Sequence, residues 1–254
     1  MKVFAISDIH VDHQSNKEWL LGISSQDYKS DILILAGDLT DNLQLLEYCL
    51  RNLASKFAKV LFVPGNHELW VARNKDLTSF QKFYEVLKIS ADCGVLTSTC
   101  HIDHLSIVPL FSWYDFSFGQ PCEKLRSVWS DFKTCTWTTG YTEREVTDYF
   151  LRKNTDTLNT HNNVLISFSH FLPRIDLMPF YIPPSYRYLY PVLGSSLLGE
   201  QIKILKPKIH VYGHSHVNQT TRIEGTNYIN NAFGYPSETN IARKKLLCVY
   251  EHDE

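Results

Sequence analysis

Five short apolar runs, each stopping on acids, amides or histidines, set the rhythm of this chain. Val3-Phe4-Ala5-Ile6 leads into Ser7-Asp8-Ile9-His10, and Ile32 to Ala36 leads into Gly37-Asp38-Leu39-Thr40-Asp41. Lys59 to Pro64 meets Gly65-Asn66-His67-Glu68, Val164 to Ser169 meets His170, and Ile209 to Tyr212 meets Gly213-His214-Ser215-His216. Short runs rich in β-branched and aromatic residues read as buried strands. Ligands of open α/β sheets bind outside the carboxyl ends of the strands. The five runs are therefore expected to deliver their polar groups to one edge.

Between the early strands the apolar period lengthens to that of a helix. Trp19, Leu20 and Ile23 share a face of a segment from Asn16 to about Tyr28. Leu43, Leu46, Leu50, Leu53 and Phe57 recur at helical spacing from Asp41 onward, with Asp41 or Asn42 as N-cap. A third helix is expected from Asp76 to about Ala91, carrying Leu77, Phe80, Tyr84 and Leu87 inward. This alternation implies a parallel sheet with right-handed crossovers. After Gly94, Val95-Leu96 and His104 to Leu110 read as strands joined by a turn, where a more antiparallel sheet should begin.

Thr142-Glu143-Arg144-Glu145 makes a capping box for a helix to about Leu158. Ser195 to Leu205 reads as a helix with Leu197, Leu198, Ile202 and Leu205 inside. Lys208 to Tyr212, Gln219 to Ile223, Asn227 to Ile229 and Lys245 to Tyr250 read as short strands. Two segments break the pattern. Residues 111–141 scatter Trp113, Tyr114, Phe116, Phe118, Trp129, Phe132 and Trp137 among turn formers, as a loop tied down by aromatic packing or as a wall of the active site. Residues 171–194 hold five prolines and four tyrosines, which excludes a regular helix or central strand and makes them a candidate rim. The 254 residues read as one domain, 1–254, with the aromatic-rich insert 111–141 and the Pro/Tyr-rich loop 171–194.

Composition narrows the classes. With 44% hydrophobic residues and 13% aromatics the chain has material for a substantial core, which excludes disordered and fibrous proteins. A formal charge of -2 argues against extended nucleic-acid binding or adhesion to anionic lipid. The first residues are too short for a signal-peptide core and no 18-residue apolar run follows, so a cytoplasmic protein without a membrane partner is expected. Cys49, Cys93, Cys100, Cys122, Cys135 and Cys248 form no C-x-x-C pair and read as reduced thiols.

Asp8, His10, Asp38, Asn66, His170, His214 and His216 make a ligand set of oxygens and imidazoles without a thiolate. Seven groups exceed one four-coordinate structural zinc and suit two divalent ions, manganese, iron, zinc or cobalt, with one carboxylate bridging. Asp8 and His10, like His214 and His216, are spaced i and i+2, on one side of an extended chain. Two such ions, two ionised aspartates and a bridging hydroxide leave a charge of about +1, a natural seat for phosphate. Coordination makes hydroxide available at neutral pH, and ions ~3.5 to 4 Å apart clamp the attacking and leaving oxygens of an in-line displacement. The chemistry is phosphoryl transfer to water, and His67, beside Asn66 but outside the ligand count, could protonate the leaving oxygen.

Asp8-x-His10, Gly37-Asp38-x-x-Asp41, Gly65-Asn66-His67-Glu68, His170 and Gly213-His214-x-His216 together resemble the calcineurin-like metallophosphoesterase superfamily, over residues 3 to 216. The resemblance implies that Asp8, His10 and His216 hold one metal and Asn66, His170 and His214 the other, with Asp38 bridging. It implies His67 as general acid oriented by Asp41, and an αββα sandwich, two packed mixed β-sheets flanked by helices. The implied reaction is hydrolysis of a phosphomonoester or phosphodiester. Asn42 and Val11 stand where the protein serine/threonine phosphatases of the superfamily carry Arg and Gly, which weighs against a phosphoprotein substrate. Asn230 to Pro236 resembles the loop after the final metal strand in small bacterial-type members.

Two rival readings leave residues over. Asp8-x-His10-x-Asp12-His13 is one residue away from the H-x-H-x-D-H signature of metallo-β-lactamase-type hydrolases, but that reading strands Asn66, His67, His214 and His216. A non-catalytic scaffold of the same fold would be expected to lose ligands or the acid, and none is missing. Arg174, four residues beyond His170, is a candidate for binding phosphate as a bidentate pair, with an outward salt bridge as the alternative. Tyr181, Tyr186, Tyr188 and Tyr190 would stack on a nucleobase or aryl group, or simply pack the Pro-rich loop. His13 either borders the cleft or is solvated, and His101, His104, His161, His210 and His252 read as structural. The expected partner is a small phosphorylated substrate, nucleotides included.

Overall fold

The strands sort into two sheets. In the computed structural model, which describes residues 1–160, 162 and 164–251, β1 (Lys2–Ile6), α1 (Gln14–Leu21), β2 (Ile32–Leu35), α2 (Leu43–Ala54) and β3 (Lys59–Phe62) open the chain. Next come α3 (Ser79–Asp92), β4 (Cys100–Ile102), β5 (Leu105–Pro109), α4 (Glu123–Val128), α5 (Asp131–Thr134) and α6 (Glu143–Arg152). β6 (Val164–Phe168), α7 (Ser196–Leu205), β7 (Ile209–Tyr212), β8 (Gln219–Ile223), β9 (Thr226–Asn230) and β10 (Leu247–Glu251) complete it. One sheet has the order β10-β1-β2-β3, with β1, β2 and β3 parallel and β10 antiparallel at the edge. The other has the order β4-β5-β6-β7-β9-β8.

The second sheet is less antiparallel than expected. β5, β6, β7 and β9 are parallel, and only the edge strands β4 and β8 run against their neighbours. Parallel neighbours need long crossovers, which α6 and α7 supply before and after β6. Val3, Ala5, Ile32, Ile34, Leu61 and Val63 pack against Ile107, Ile166, Phe168, Ile209, Val211 and Ile229 to form the layer between the sheets. The opposite face of the first sheet buries Leu33, Leu35, Val60 and Phe62 under Leu46, Leu50, Leu53 and Val86 of α2 and α3. Leu198, Ile202 and Leu205 of α7 cover Leu165 and Tyr212 on the second sheet's outer face. Strands buried on both faces read as continuous apolar runs, which is why these were visible in sequence.

Several boundaries moved for identifiable reasons. Asn42, not Asp41, caps α2, accepting from Leu45 N at 3.0 Å. Thr78 and Gln81 form a capping box, so α3 starts later than Asp76 and turns a different face inward. Lys82, Phe83 and Val86 are buried, whereas Tyr84 is exposed and bonds Tyr149 and Lys153. The Lys82 ammonium reaches the carbonyls of Asp41 and Trp70, so a buried lysine interrupts the apolar stripe that the sequence pattern relies on. Leu96 makes only an isolated bridge to Leu61, and Cys100–Ile102 pairs with β5 instead.

The insert 111–141 contains α4 and α5, and its Trp113 and Tyr114 are buried with Phe83, Phe150 and Phe171. Residues 171–194 hold short 3-10 turns, Ile175–Leu177 and Pro184–Val192. His210 lies between the hydroxyls of Ser167 and Ser169, His101 meets Ser106 and His104 meets Tyr250, all structural contacts. His161 and His252 lie outside the described residues. Among the described residues no helix is long and apolar enough to cross a membrane.

Candidate active site

The strand ends converge across both sheets. Ligand atoms of Asp8, His10, Asp38 and His216 lie within 4.8 Å of one another, as do those of Asp38, His170 and His214. Asp38 belongs to both groups, the position a bridging carboxylate requires. Asn66 joins the second group, its Oδ1 lying 3.1 Å from His170 Nε2. All seven side chains are buried.

The backbone is shaped to bring them there. Asp8, His10, Asp38, His214 and His216 have φ of 53°, 47°, 56°, 66° and 54°, in the left-handed region. Each such residue costs of order 1–2 kcal/mol unless glycine occupies it, and such strain gathers at functional sites. Gly65 lets its own loop and the Asp38 turn meet beside His170: a Cβ there would lie 2.8 Å from His170 Cε1 and also clash with Asp38. Glu68, fully buried, binds the same two loops together. Its carboxylate accepts from the N–H groups of Gly65 (2.7 Å), Asp38 (3.0 Å), Leu39 (2.6 Å) and Thr40 (3.0 Å).

Three of the four imidazoles are held by the ring nitrogens that face away from the cluster, whereas His10 Nδ1 is buried without a partner among the described residues. His170 Nδ1 donates to Ala36 O at 2.9 Å, His214 Nε2 to Val192 O at 3.0 Å, and His216 Nδ1 to Glu238 Oε2 at 2.7 Å. Those bonds leave His170 Nε2 and His214 Nδ1 facing each other at 3.0 Å, and His216 Nε2 facing His10 Nε2 at 3.1 Å. An imidazole so held presents its lone pair to a metal.

Electrostatics fit the same assignment. Burial, then the neighbouring rings of His67 and His216, push His10 well below the ordinary imidazole range, and burial with His170 does the same to His214. Burial raises Asp38, aided by the nearby Glu68 and Asp8 carboxylates. For His216 burial is outweighed by Asp8 and Glu238, which raise it to about 10. His216 thus lies between two acids and faces a second imidazole. Divalent cations held here would neutralise the acids and take up the lone pairs, and the donors are the oxygen and nitrogen types such ions take. The residues fit two divalent metals.

Beside the cluster is a narrow cleft of about 160 Å³, lined by Asn66, His67, Trp70, Val128, Trp129, Ser130, Asp131 and Tyr235. His67 stacks on Trp70 with ring centroids 3.7 Å apart, and its Nε2 lies 3.8 Å from Asp38 Oδ2. Tyr235 stacks on His10 at 4.4 Å, and the edge of exposed His13 meets it at 5.5 Å. Thus His13 stands at the rim, while Asp12 accepts from Thr40 Oγ1 and neither residue belongs to the ligand groups.

Two candidates are not brought to the centre. The Arg174 guanidinium is held by Asp176 at 2.7 Å and Glu224 at 3.3 Å, the outward salt bridge rather than a phosphate contact. It borders a separate depression with Phe118 and Tyr228. Asp41 pairs with Arg73 at 2.9 Å, and among the described residues no hydrogen bond joins it to His67. Tyr186 and Tyr190 line an apolar depression with Met178, Leu193, Ser215 and Glu238, so it borders the loop that carries His214 and His216. Conversely, Glu68, Glu238, Asp131 and Tyr235 take part in the site although no role was read for them in sequence. For Glu68 a signal existed, since it ends the Gly65-Asn66-His67-Glu68 turn.

A family model described as calcineurin-like phosphoesterase matches residues 1–218. The chain belongs to the calcineurin-like phosphoesterases. As a member of that family it is a metal-dependent phosphoesterase that uses two divalent ions, and the buried Asp/His groups suit them. The acyl-carrier-protein phosphodiesterase PptH of Mycobacterium tuberculosis is 27% identical over 267 residues, covering 93% of this chain and 78% of the relative. The crystal structure of the phosphopantetheinyl hydrolase PptH from that organism superposes with a TM-score of 0.77 at 24% identity, covering 93% of this chain and 90% of the other. The two share the calcineurin-like phosphoesterase fold, two mixed sheets flanked by helices.

Proposed function

We propose that this calcineurin-like phosphoesterase is a phosphodiesterase for a phosphate borne on a slender aliphatic arm, of the phosphopantetheinyl type carried by an acyl carrier protein. The observation that carries this reading is the 160 Å³ cleft beside His67, walled by Trp70, Val128, Trp129 and Tyr235. Pockets that enclose drug-sized ligands start at about 300 Å³, so this cleft would take only the groups next to the phosphate, and the rest of the arm would extend beyond it. The name of the 27% identical relative supports the same substrate class.

We assign Asp8, His10 and His216 to one ion and Asn66, His170 and His214 to the other, with Asp38 between them. The bound ions would supply charge neutralisation at the phosphate and an activated water. The chain's own groups do the rest. His67, fixed by the Trp70 ring, donates its Nε2 proton to the leaving oxygen. Burial, followed by the nearby His170 and His216, pushes its pKa down to about 3, and a phosphate anion in the cleft works the other way by favouring the protonated ring. Trp129 and Tyr235 form walls of the cleft. Six unpaired cysteines, three of them buried, support a cytoplasmic setting.

The test is incubation of the manganese-reconstituted enzyme with a phosphopantetheinylated carrier protein, a dinucleotide and a cyclic nucleotide, read by mass spectrometry. Release of the arm from the carrier, with slow nucleotide turnover, is expected. Faster turnover of either nucleotide would replace the aliphatic diester by a nucleotide as substrate.

A further inference from the structure

Asp131 lies in the aromatic-rich insert, far in sequence from every strand end that builds the metal centre, yet its side chain is buried. Its carboxylate collects three N–H donors. Asn66 Nδ2 at 2.8 Å and Trp70 Nε1 at 2.6 Å reach Oδ1, and Trp129 Nε1 at 2.8 Å reaches Oδ2. An ionised carboxylate only accepts, whereas an amide has one accepting and one donating end. With Nδ2 turned to Asp131, the Asn66 oxygen points to His170 Nε2, the side on which His214 and Asp38 also meet.

We infer that Asp131 is a positioning residue that fixes the Asn66 amide with its oxygen, not its nitrogen, toward the metal centre. An inverted amide would aim N–H groups at a cation. The two amide ends are nearly the same size, so before a cation arrives packing alone does not choose between them. The same carboxylate holds the indole of Trp70, on which His67 stacks, and that of Trp129, whose ring meets His214 edge-on at 5.7 Å. One side chain of the insert therefore ties a metal ligand to two walls of the cleft. This inference rests on Asn66 being a ligand of the second metal.

The test is manganese titration of the chelator-stripped protein, with free Mn²⁺ counted by electron paramagnetic resonance. The wild type is expected to take up two ions. In Asp131→Asn one of the two weakens by roughly 10–100-fold, the range seen when a partner that orients a metal ligand is removed. In the double variant with Asn66→Ala that loss is no greater than in Asn66→Ala alone, because both changes act through one group. Unchanged affinity in Asp131→Asn, or losses that add in the double variant, would overturn the inference.

Asn66→Asp keeps the test open should Asp131→Asn fold poorly. An ionised ligand should by itself bind a divalent ion more tightly than an amide, but here it would face the Asp131 carboxylate. Weaker binding than wild type is expected, and equal or tighter binding would also overturn the inference. Failure of the wild type to bind any manganese would instead remove the metal-centre assignment and this inference with it.

Discussion

Glu68 accepts four backbone N–H groups inside the protein, so its contribution is measurable without any substrate. Truncation leaves those donors buried, and hydrogen bonds to charged groups contribute about 1.5–3 kcal/mol each, with non-additive sums. Glu68→Ala should therefore lower stability by about 3 kcal/mol or more, read from urea unfolding of the metal-free protein. A loss below about 1 kcal/mol would show that water or rearranged backbone replaces the carboxylate. For His67→Ala the metal content should stay at the wild-type level. Turnover of an alkyl ester should fall by about 10²–10⁴-fold, the usual worth of a general acid, and turnover of a p-nitrophenyl ester much less, since nitrophenolate leaves without a proton. Equal losses on both esters would argue against the acid role.

The metal-centre candidates were legible because each closes an apolar run, and a strand end has a fixed place in a sheet. Their supports were not. Glu238 reaches back 22 residues to His216 and Asp131 reaches 65 residues to Asn66, distances that only the finished fold closes. Arg174 shows the converse: four residues from His170, it points to Asp176 and Glu224, because sequence proximity does not set side-chain direction.

Among the elements, the pairing of β6 with β7 carries a pH-dependent term. His210 on β7 sits between Ser167 and Ser169, and burial moves it from the ordinary 6.5 to about 3. A folded-state pKa below the unfolded one means that the unfolded chain takes up the proton first. This contribution is therefore present above pH 6.5 and lost as pH falls toward 3, by about 1.4 kcal/mol per pH unit at most. His210→Asn should reduce the acid slope of stability by up to one proton relative to wild type, both free of metal. Identical slopes would mean that His210 is protonated in the fold. The strands were readable as elements because their runs are apolar on both faces. By contrast, the inward face of α3 differs from the one its apolar spacing predicts, because buried Lys82 satisfies its ammonium on the carbonyls of Asp41 and Trp70, and a polar residue inside breaks the pattern.

At the scale of the molecule, two sheets meet at an edge where three strands of one and two of the other end in candidate ligands. Sequence alternation alone predicted the first parallel sheet but not how strands far apart in the chain order themselves in the second. Long-range order of that kind comes from which faces remain to be covered. The narrow cleft follows from the insert closing over this edge, so Trp129→Ala should open it. Bulky diesters such as bis-p-nitrophenyl phosphate should then gain in kcat/KM relative to slender alkyl diesters. An unchanged ratio would show that Trp129 does not limit access.

If both groups of candidate ligands hold metal, both ions are needed for phosphoester hydrolysis. The most direct measurement is the rate of p-nitrophenyl ester hydrolysis as manganese is added in equivalents to the chelator-stripped enzyme. Activity that starts near zero and rises until two equivalents are bound is the result predicted. Full activity without metal, or saturation at one equivalent, would contradict it.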